Sequence, residues 1–240
     1  MHSPFVFEFI TKVLNDKTVY PEYEKVETLR ARLLNDHSVL EVTDFGAGSA
    51  VDRKNKRSIS SIAKNAAKPK KFGQLLFRMV RYYQPRTILE LGTSLGITAS
   101  YLSLARPNGS VITMEGSKVI TEVAKRNFRN LEIKNVKIIE GNFDVTLSSL
   151  ITHHSATDFA FIDGNHRREP TERYFKELLA TTTNDSILVF DDIHWSRDME
   201  AAWEVIKNDA AVTCSIDLFF IGMVFFRKEF KERQHFMIRF

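Results

Sequence analysis

Two short runs in the second half of the chain carry the side chains with most chemistry in them. The run 158–162 closes on Asp163-Gly-Asn-His166, and 186–190 closes on Asp191-Asp192-Ile-His194. If both are strands of one doubly wound sheet, both ends open onto the same crevice. Three carboxylates from two such ends, Asp163, Asp191 and Asp192, could converge on a hard divalent cation such as Mg²⁺. A cation held there would bind a substrate hydroxyl and lower its pKa, making an oxyanion available near neutral pH. The plainer alternative is that Asp191 and Asp192 satisfy backbone N–H groups ahead of a helix, where Ser196 has the type of an N-cap.

A second feature lies upstream. Thr87-Ile-Leu-Glu90-Leu-Gly92-Thr93-Ser-Leu-Gly96 reads as a buried strand, a glycine turn and the start of a helix. Such a turn brings backbone close to a ligand, which glycine allows. The next strand ends at Glu115, a carboxylate about 20 residues on, the spacing that holds a ribose. The turn lacks the full Gly-x-Gly-x-x-Gly of a nicotinamide site, and it suits a ligand without phosphates better. A similar run, 39–48, is followed by Asp52-Arg-Lys-Asn-Lys-Arg57, with no apolar helix and no further acidic residue before Glu90. Asp44, Gly46 and Gly48 are therefore expected in a loop near the site mouth.

These groups need a scaffold, and the surrounding pattern supplies one. Strands are expected at 87–91, 110–114, 136–140, 158–162 and 186–190, with helices at 98–105, 118–130, 145–150, 171–180 and 196–208. That alternation implies a parallel sheet with helices on both faces. Runs 212–219 and 223–227 have only Phe220-Ile-Gly222 between them, which permits only an antiparallel pair. Residues 229–240 alternate charge and apolarity and could add an edge strand. Upstream, 5–14 and 23–34 have helical spacing, with Pro4 and Pro21 near their starts. Residues 38–71 read as a polar, basic connection with a short helix near 59–67, and 74–83 as an amphipathic helix entering the first strand. The expected organisation is an N-terminal helical cap, 1–71, on a doubly wound α/β domain, 72–240.

Taken in order, Glu90-Leu-Gly92-Thr93-Ser-Leu-Gly96, Glu115 and Gly141-Asn142 resemble the successive motifs of class I S-adenosylmethionine-dependent methyltransferases. The resemblance runs from about residue 72 to the C-terminus. It implies a Rossmann-like, mostly parallel seven-stranded sheet with a C-terminal antiparallel hairpin. Gly92, Thr93 and Gly96 would then lie at the methionine and ribose, Glu90 near the amino-acid end, and Glu115 on both ribose hydroxyls. Gly141 and Asn142 would lie by the adenine, where an acidic residue is common in place of Asn142. The other reading of Glu90 and Glu115 is that they merely cap strand ends. The acidic runs resemble those of metal-dependent O-methyltransferases, both the catechol and caffeoyl-CoA type and sugar-modifying relatives. Asp163, Asp191 and Asp192 match the metal positions there, and His166 matches a general base. An imidazole titrates near neutral pH, which suits that work.

Composition narrows the remaining choices. At 240 residues, 43% apolar and 27% charged, the chain fits a soluble globular protein. Its longest apolar stretch, 216–226, is eleven residues, against roughly 20 for a membrane span. No leader pattern opens the sequence, and Cys214 is the single cysteine; a cytoplasmic setting is expected. The favoured function is O-methylation of a small-molecule hydroxyl using S-adenosylmethionine, with Mg²⁺, a His base, or both. Eleven Lys or Arg and no acidic residue between Arg53 and Arg86 raise the alternative of an RNA methyltransferase. The segment lacks interleaved aromatics for base stacking. A cofactor-binding protein without catalysis is a further alternative. Trp195, Trp203 and most of the phenylalanines read as core; His153 and His154 read as exposed loop. Tyr20, Tyr23, Phe45 and Phe72 fall where an aromatic lid over a planar acceptor would be useful. Lys70, Lys71 and Gln74 are candidates to face the methionine carboxylate, and His194 to support the substrate. Phe-rich cap helices could form a homodimer contact.

Overall fold

The computed structural model describes residues 3–42, 56–65, 67–153 and 156–240. Helix α1 (Pro4–Glu8) runs on as a π-helical turn over Phe9–Leu14, and α2 spans Pro21–Leu34. Pro4 and Pro21 occupy the first turns of these helices, where a missing N–H leaves no bond unmade. A small antiparallel pair, β1 (Val39–Glu41) and β2 (Lys56–Ser58), leads through α3 (Ile59–Asn65) to α4 (Lys70–Tyr83). Asp44, Phe45, Gly46, Gly48, Arg53 and His154 lie outside the described residues.

From there the expected alternation is realised. Strands β3 (Thr87–Leu91), β4 (Ser110–Glu115), β5 (Val136–Glu140), β6 (Phe159–Ile162) and β7 (Ile187–Asp191) run parallel. They are connected by α5 (Ile97–Ala105), α6 (Lys118–Asn130), α7 (Phe143–His153) and α8 (Arg168–Leu179). After α9 (Arg197–Lys207), β8 (Cys214–Asp217) and β9 (Ile221–Phe225) form an antiparallel hairpin, and β9 pairs antiparallel with β7. A last strand, β10 (Gln234–Met237), lies parallel to β8 at the edge. The order β10-β8-β9-β7-β6-β3-β4-β5 therefore has eight strands rather than seven. The chain proceeds outward from β3 to β5 and restarts at β6 on the other side. The crevice above β3 and β6 is thus the topological switch point, where ligands bind in such sheets.

Two apolar layers cover the sheet. Ile88 belongs to the layer shared with the N-terminal helices, while Leu89 and Leu91 belong to the layer under α7, α8 and α9, as the two-residue period of a strand requires. Glu90 falls on the first face and is fully buried. Helix α4 meets α5 without clearance: a Cβ on Gly73 would lie 2.6 Å from the Tyr101 ring. Tyr101 in turn donates to Glu27 on α2 at 2.7 Å, and buried Arg78 of α4 donates to the Val13 carbonyl at 2.7 Å. The N-terminal helices are fixed on α4 by these contacts, and α4 fixes what precedes it. No helix among the described residues is long and apolar enough to cross a membrane.

Candidate active site

The turn after β3 holds three residues in the left-handed region, Gly92 (φ +107°), Ser94 (φ +46°) and Gly96 (φ +80°). A side chain on Gly92 would strike the Asp163 carbonyl oxygen, so glycine is needed for β3 and β6 to close. Beneath the turn, Thr113 donates to Glu90 Oε2 at 2.5 Å, and the Thr93 and Thr113 hydroxyls lie 2.6 Å apart. Thr93 thus turns its hydroxyl inward and would offer a ligand only backbone. Glu90 Oε1 is buried without a partner. Burial raises the Glu90 carboxyl well above its ordinary pKa; the Thr113 bond opposes this, and the charges of Asp163 and Glu115 add to it. An orphaned, buried acceptor of this kind fits a cationic ligand group such as the amine of S-adenosylmethionine.

Glu115 ends β4 with its two oxygens on backbone donors, Oε2 on Ser94 N at 2.9 Å and Oε1 on Ser117 N at 2.9 Å. A carboxylate has about four lone-pair sites, so these bonds aim the group without by themselves exhausting it. Its carboxylate stands beside the glycine turn, as a ribose diol would need. Farther along, Asn142 has a structural role of its own. Its amide oxygen accepts from Asp144 N at 3.0 Å and starts α7, a helix-capping role. The acidic group there is Asp144, held by Tyr174 Oη at 2.6 Å and by Arg173.

The strand-end acids do come together. Single ligand atoms of Asp163, His166 and Asp191 all lie within 4.8 Å of one another. His166 Nε2 is 3.3 Å from Asp163 Oδ1, and Asn165 (φ +70°) and His166 (φ +41°) both adopt left-handed backbone to bring the ring back over the strand end. Asp192 (φ +52°) is not part of that group. Its Oδ1 is 3.1 Å from the Nζ of Lys68, which also forms an ion pair with Asp191. Lys68 immediately precedes Pro69, the N-cap of α4, and its side chain is only 13% exposed. Burial lowers the Lys68 pKa, but Asp163, Asp191 and Asp192 together raise it further, so the ammonium stays charged. For Asp163, burial is outweighed by Lys68 and by His166, and its carboxyl is held below the usual range. Asp191 shifts the other way, through burial and the neighbouring Asp163 charge against Lys68.

The expected triad of Asp163, Asp191 and Asp192 therefore does not fit a divalent cation in this arrangement. The carboxylates surround a positive charge that the chain itself provides. A dication about 4 Å from that ammonium would meet a repulsion on the order of 8 kcal/mol at an effective dielectric of about 20.

Aromatic rings border this crevice. Trp195, expected in the core, is 58% exposed and meets His166 edge-on at 5.9 Å, whereas Trp203 is buried. The β8–β9 turn presents Phe219 (φ +73°) and Phe220, both exposed. Phe219 stacks on His194 at 5.3 Å, and Phe220 meets Phe72 at 5.7 Å. Of the expected lid residues, only Phe72 is shown at this mouth; Tyr20 and Tyr23 pack on Phe77. Lys71 lies over the Phe72 and Phe240 rings, while Lys70 and Gln74 line a groove with Asp16 and Tyr23.

Comparison with known proteins agrees with this geometry. A profile described as a methyltransferase domain matches residues 89–193, which span the glycine turn, Glu115 and the acidic cluster. Over those residues the chain is similar to a methyltransferase domain. The methyltransferase PaMTH1 from Podospora anserina, solved with S-adenosylhomocysteine, superposes with a TM-score of 0.64 at 15% identity, covering 95% of this chain and 98% of that one. An O-methyltransferase from Bacillus cereus, also solved with S-adenosylhomocysteine, gives 0.57 at 19% identity, covering 92% and 97%. The O-methyltransferase TomG from Streptomyces achromogenes, solved with S-adenosylmethionine, gives 0.58 at 19% identity, covering 68% and 82%. No curated protein matches the chain by sequence.

The sequence pointed to Glu90, Gly92, Gly96, Glu115, Asp163, Asp191 and His166, and these lie at the carboxyl ends of β3, β4, β6 and β7. It missed Lys68, which reads only as one more cation in a basic run. It also missed Asp217, whose Oδ2 accepts from Trp203 Nε1 at 3.1 Å and lies 2.8 Å from His194 Nε2.

Proposed function

We propose that the chain is a methyltransferase that acts on a hydroxyl oxygen of a small molecule, with S-adenosylmethionine as the methyl donor. The observation that carries the reading is the His166–Asp163 pair at the switch point, directly beside the glycine turn and Glu115. When bound, S-adenosylmethionine supplies an electrophilic methyl group on a sulfonium. Glu90 and Glu115 would hold its amine and its ribose diol. Asp163 Oδ1, 3.3 Å from His166 Nε2, would hold the proton on that nitrogen, leaving Nδ1 to take the proton of the acceptor hydroxyl. The Lys68 ammonium stands ready to stabilise the oxyanion as that proton leaves. Trp195, Phe219 and Phe220 would cover the acceptor and exclude water. The O-methyltransferases among the structural neighbours support the same chemistry.

On this reading residues 1–71 are a cap and 72–240 the methyltransferase domain, since Lys68, at the end of the former, completes the site of the latter. The basic segment supports an RNA substrate less well, because Lys68 and Arg78 are both internal. The test is transfer of a labelled methyl group from S-adenosylmethionine to a panel of phenols, catechols and sugar alcohols, with bulk RNA alongside. Label is expected in a small-molecule ether, with kcat lowered about 10²–10⁴-fold in His166→Ala. Label in RNA alone would overturn the acceptor class, and unaltered kcat in His166→Ala would overturn the base.

A further inference from the structure

Among the described residues, Lys68 is the lysine that pairs with the acidic groups of the crevice. Its Nζ contacts both carboxylates that end β7, Asp191 and Asp192, and Asp163 at the end of β6 lies close enough to act on its charge. It does not reach there by chance rotation of a long surface chain. Pro69 fixes the backbone at the N-cap of α4, and α4 is seated on α5 with no clearance at Gly73. The ammonium is therefore delivered by packed helices to the two carboxylates that end β7. Its side chain is 13% exposed and that of Asp191 is fully buried, so the pair is shielded from solvent and screened little by salt.

We infer that Lys68 is the resident cation of this crevice, standing where a divalent metal would otherwise be held, and that the chain binds no metal there. This rests on the crevice being the acceptor site only for its meaning in catalysis. The charge arrangement itself is independent of any methyl transfer. A fixed ammonium differs from Mg²⁺ in kind: it offers hydrogen-bond donors and a single charge, with no open coordination positions. The acceptor oxygen would be met by a donor N–H rather than by a metal–oxygen bond.

The test is Mn²⁺ titration of the purified protein, with unbound Mn²⁺ read by electron paramagnetic resonance, in the absence of cofactor and acceptor. The wild type is expected to take up no Mn²⁺ into the crevice. Lys68→Met, which keeps much of the stem and removes the charge, is expected to bind one Mn²⁺ per chain, about a hundredfold or more tighter than wild type, the scale of removing one like charge at close range. Adding Asp163→Asn to Lys68→Met should abolish that uptake, and Lys68→Arg should behave as wild type. Saturable uptake by the wild type that Asp191→Asn removes would overturn the inference, and this arm stands even if Lys68→Met fails to fold. A folded Lys68→Met that binds no Mn²⁺ would overturn it as well. Because no methyl transfer is measured, failure here is separate from failure of the proposed reaction, which the labelled-methyl assay reads.

Discussion

Gly73 on α4 lies so close to Tyr101 on α5 that an added methyl group would sit 2.6 Å from the ring. Tyr101 cannot simply swing away, because its hydroxyl is bonded to Glu27 on α2. Gly73→Ala therefore sets two effects against each other. Helix propensity favours alanine by about 1 kcal/mol, while overpacking a fixed ring costs about 1–3 kcal/mol. The second should win, lowering Tm by a few degrees, about 2–4 °C per kcal/mol for a chain of this size. Because α4 also delivers Lys68, the Lys68 ion pairs should loosen with it. An unchanged or raised Tm would show that the helices can move apart freely.

Glu115 is the group whose removal should read most directly on the cofactor. Backbone N–H groups of Ser94 and Ser117 aim it, and it would take both ribose hydroxyls. Charge-assisted bonds contribute about 1.5–3 kcal/mol each, so Glu115→Ala should weaken S-adenosylhomocysteine binding about 100-fold or more by calorimetry. Glu115→Gln, which keeps one acceptor oxygen, should fall between. Equal affinity in Glu115→Ala and wild type would remove Glu115 from the cofactor site.

Glu90 gives a pH prediction whose sign can be worked out. Burial raises its folded-state pKa above the ordinary value of 4.5, so the folded protein holds this proton more tightly than the unfolded chain. The stability it contributes is complete below pH 4.5 and is lost as pH rises through the folded value. Glu90→Gln cannot ionise. In thermal melts without cofactor, its Tm relative to wild type should therefore rise steadily with pH above 4.5. Part of the wild-type slope will remain, since Asp191 is shifted in the same direction. The same variant should bind S-adenosylhomocysteine more weakly. A Tm difference that does not vary with pH would contradict the assignment.

What could be read from the sequence was local. The strand, the Gly92–Gly96 turn and Glu115 lie within one βαβ unit, and glycine is required there by positive φ and close approach of β6. The final edge strand was readable from alternation within 229–240. What could not be read was long-range. Lys68 and its partner Asp192 are 124 residues apart, and nothing near Lys68 distinguishes it from the other cations of its segment. Trp195 was misread because large aromatic residues are usually buried, and a crevice wall is where that tendency fails. Asn142 has a local role that the sequence reading did not include: directly before Phe143, it caps the start of α7.

Asp217 holds the hairpin side of the crevice together, and its loss should separate acceptor binding from cofactor binding. It is 6% exposed, accepts from Trp203 Nε1 and Phe219 N, and lies 2.8 Å from His194 Nε2. His194 also lies 3.6 Å from Glu200 on α9 and stacks on Phe219. Asp217→Ala would leave the buried indole N–H without its acceptor, costing about 1–3 kcal/mol. Phe219, held at φ +73°, would lose the bond that secures a backbone conformation unfavourable for a bulky residue. The β8–β9 turn should then loosen while β3, β4 and the glycine turn stay intact. The expected outcome is a Tm lowered by several degrees, a raised acceptor KM, and S-adenosylhomocysteine affinity close to that of wild type. Asp217→Asn, which keeps an acceptor oxygen for the indole, should recover much of the stability. If cofactor affinity fell as far as acceptor affinity, the hairpin would be part of the general scaffold rather than of the acceptor wall.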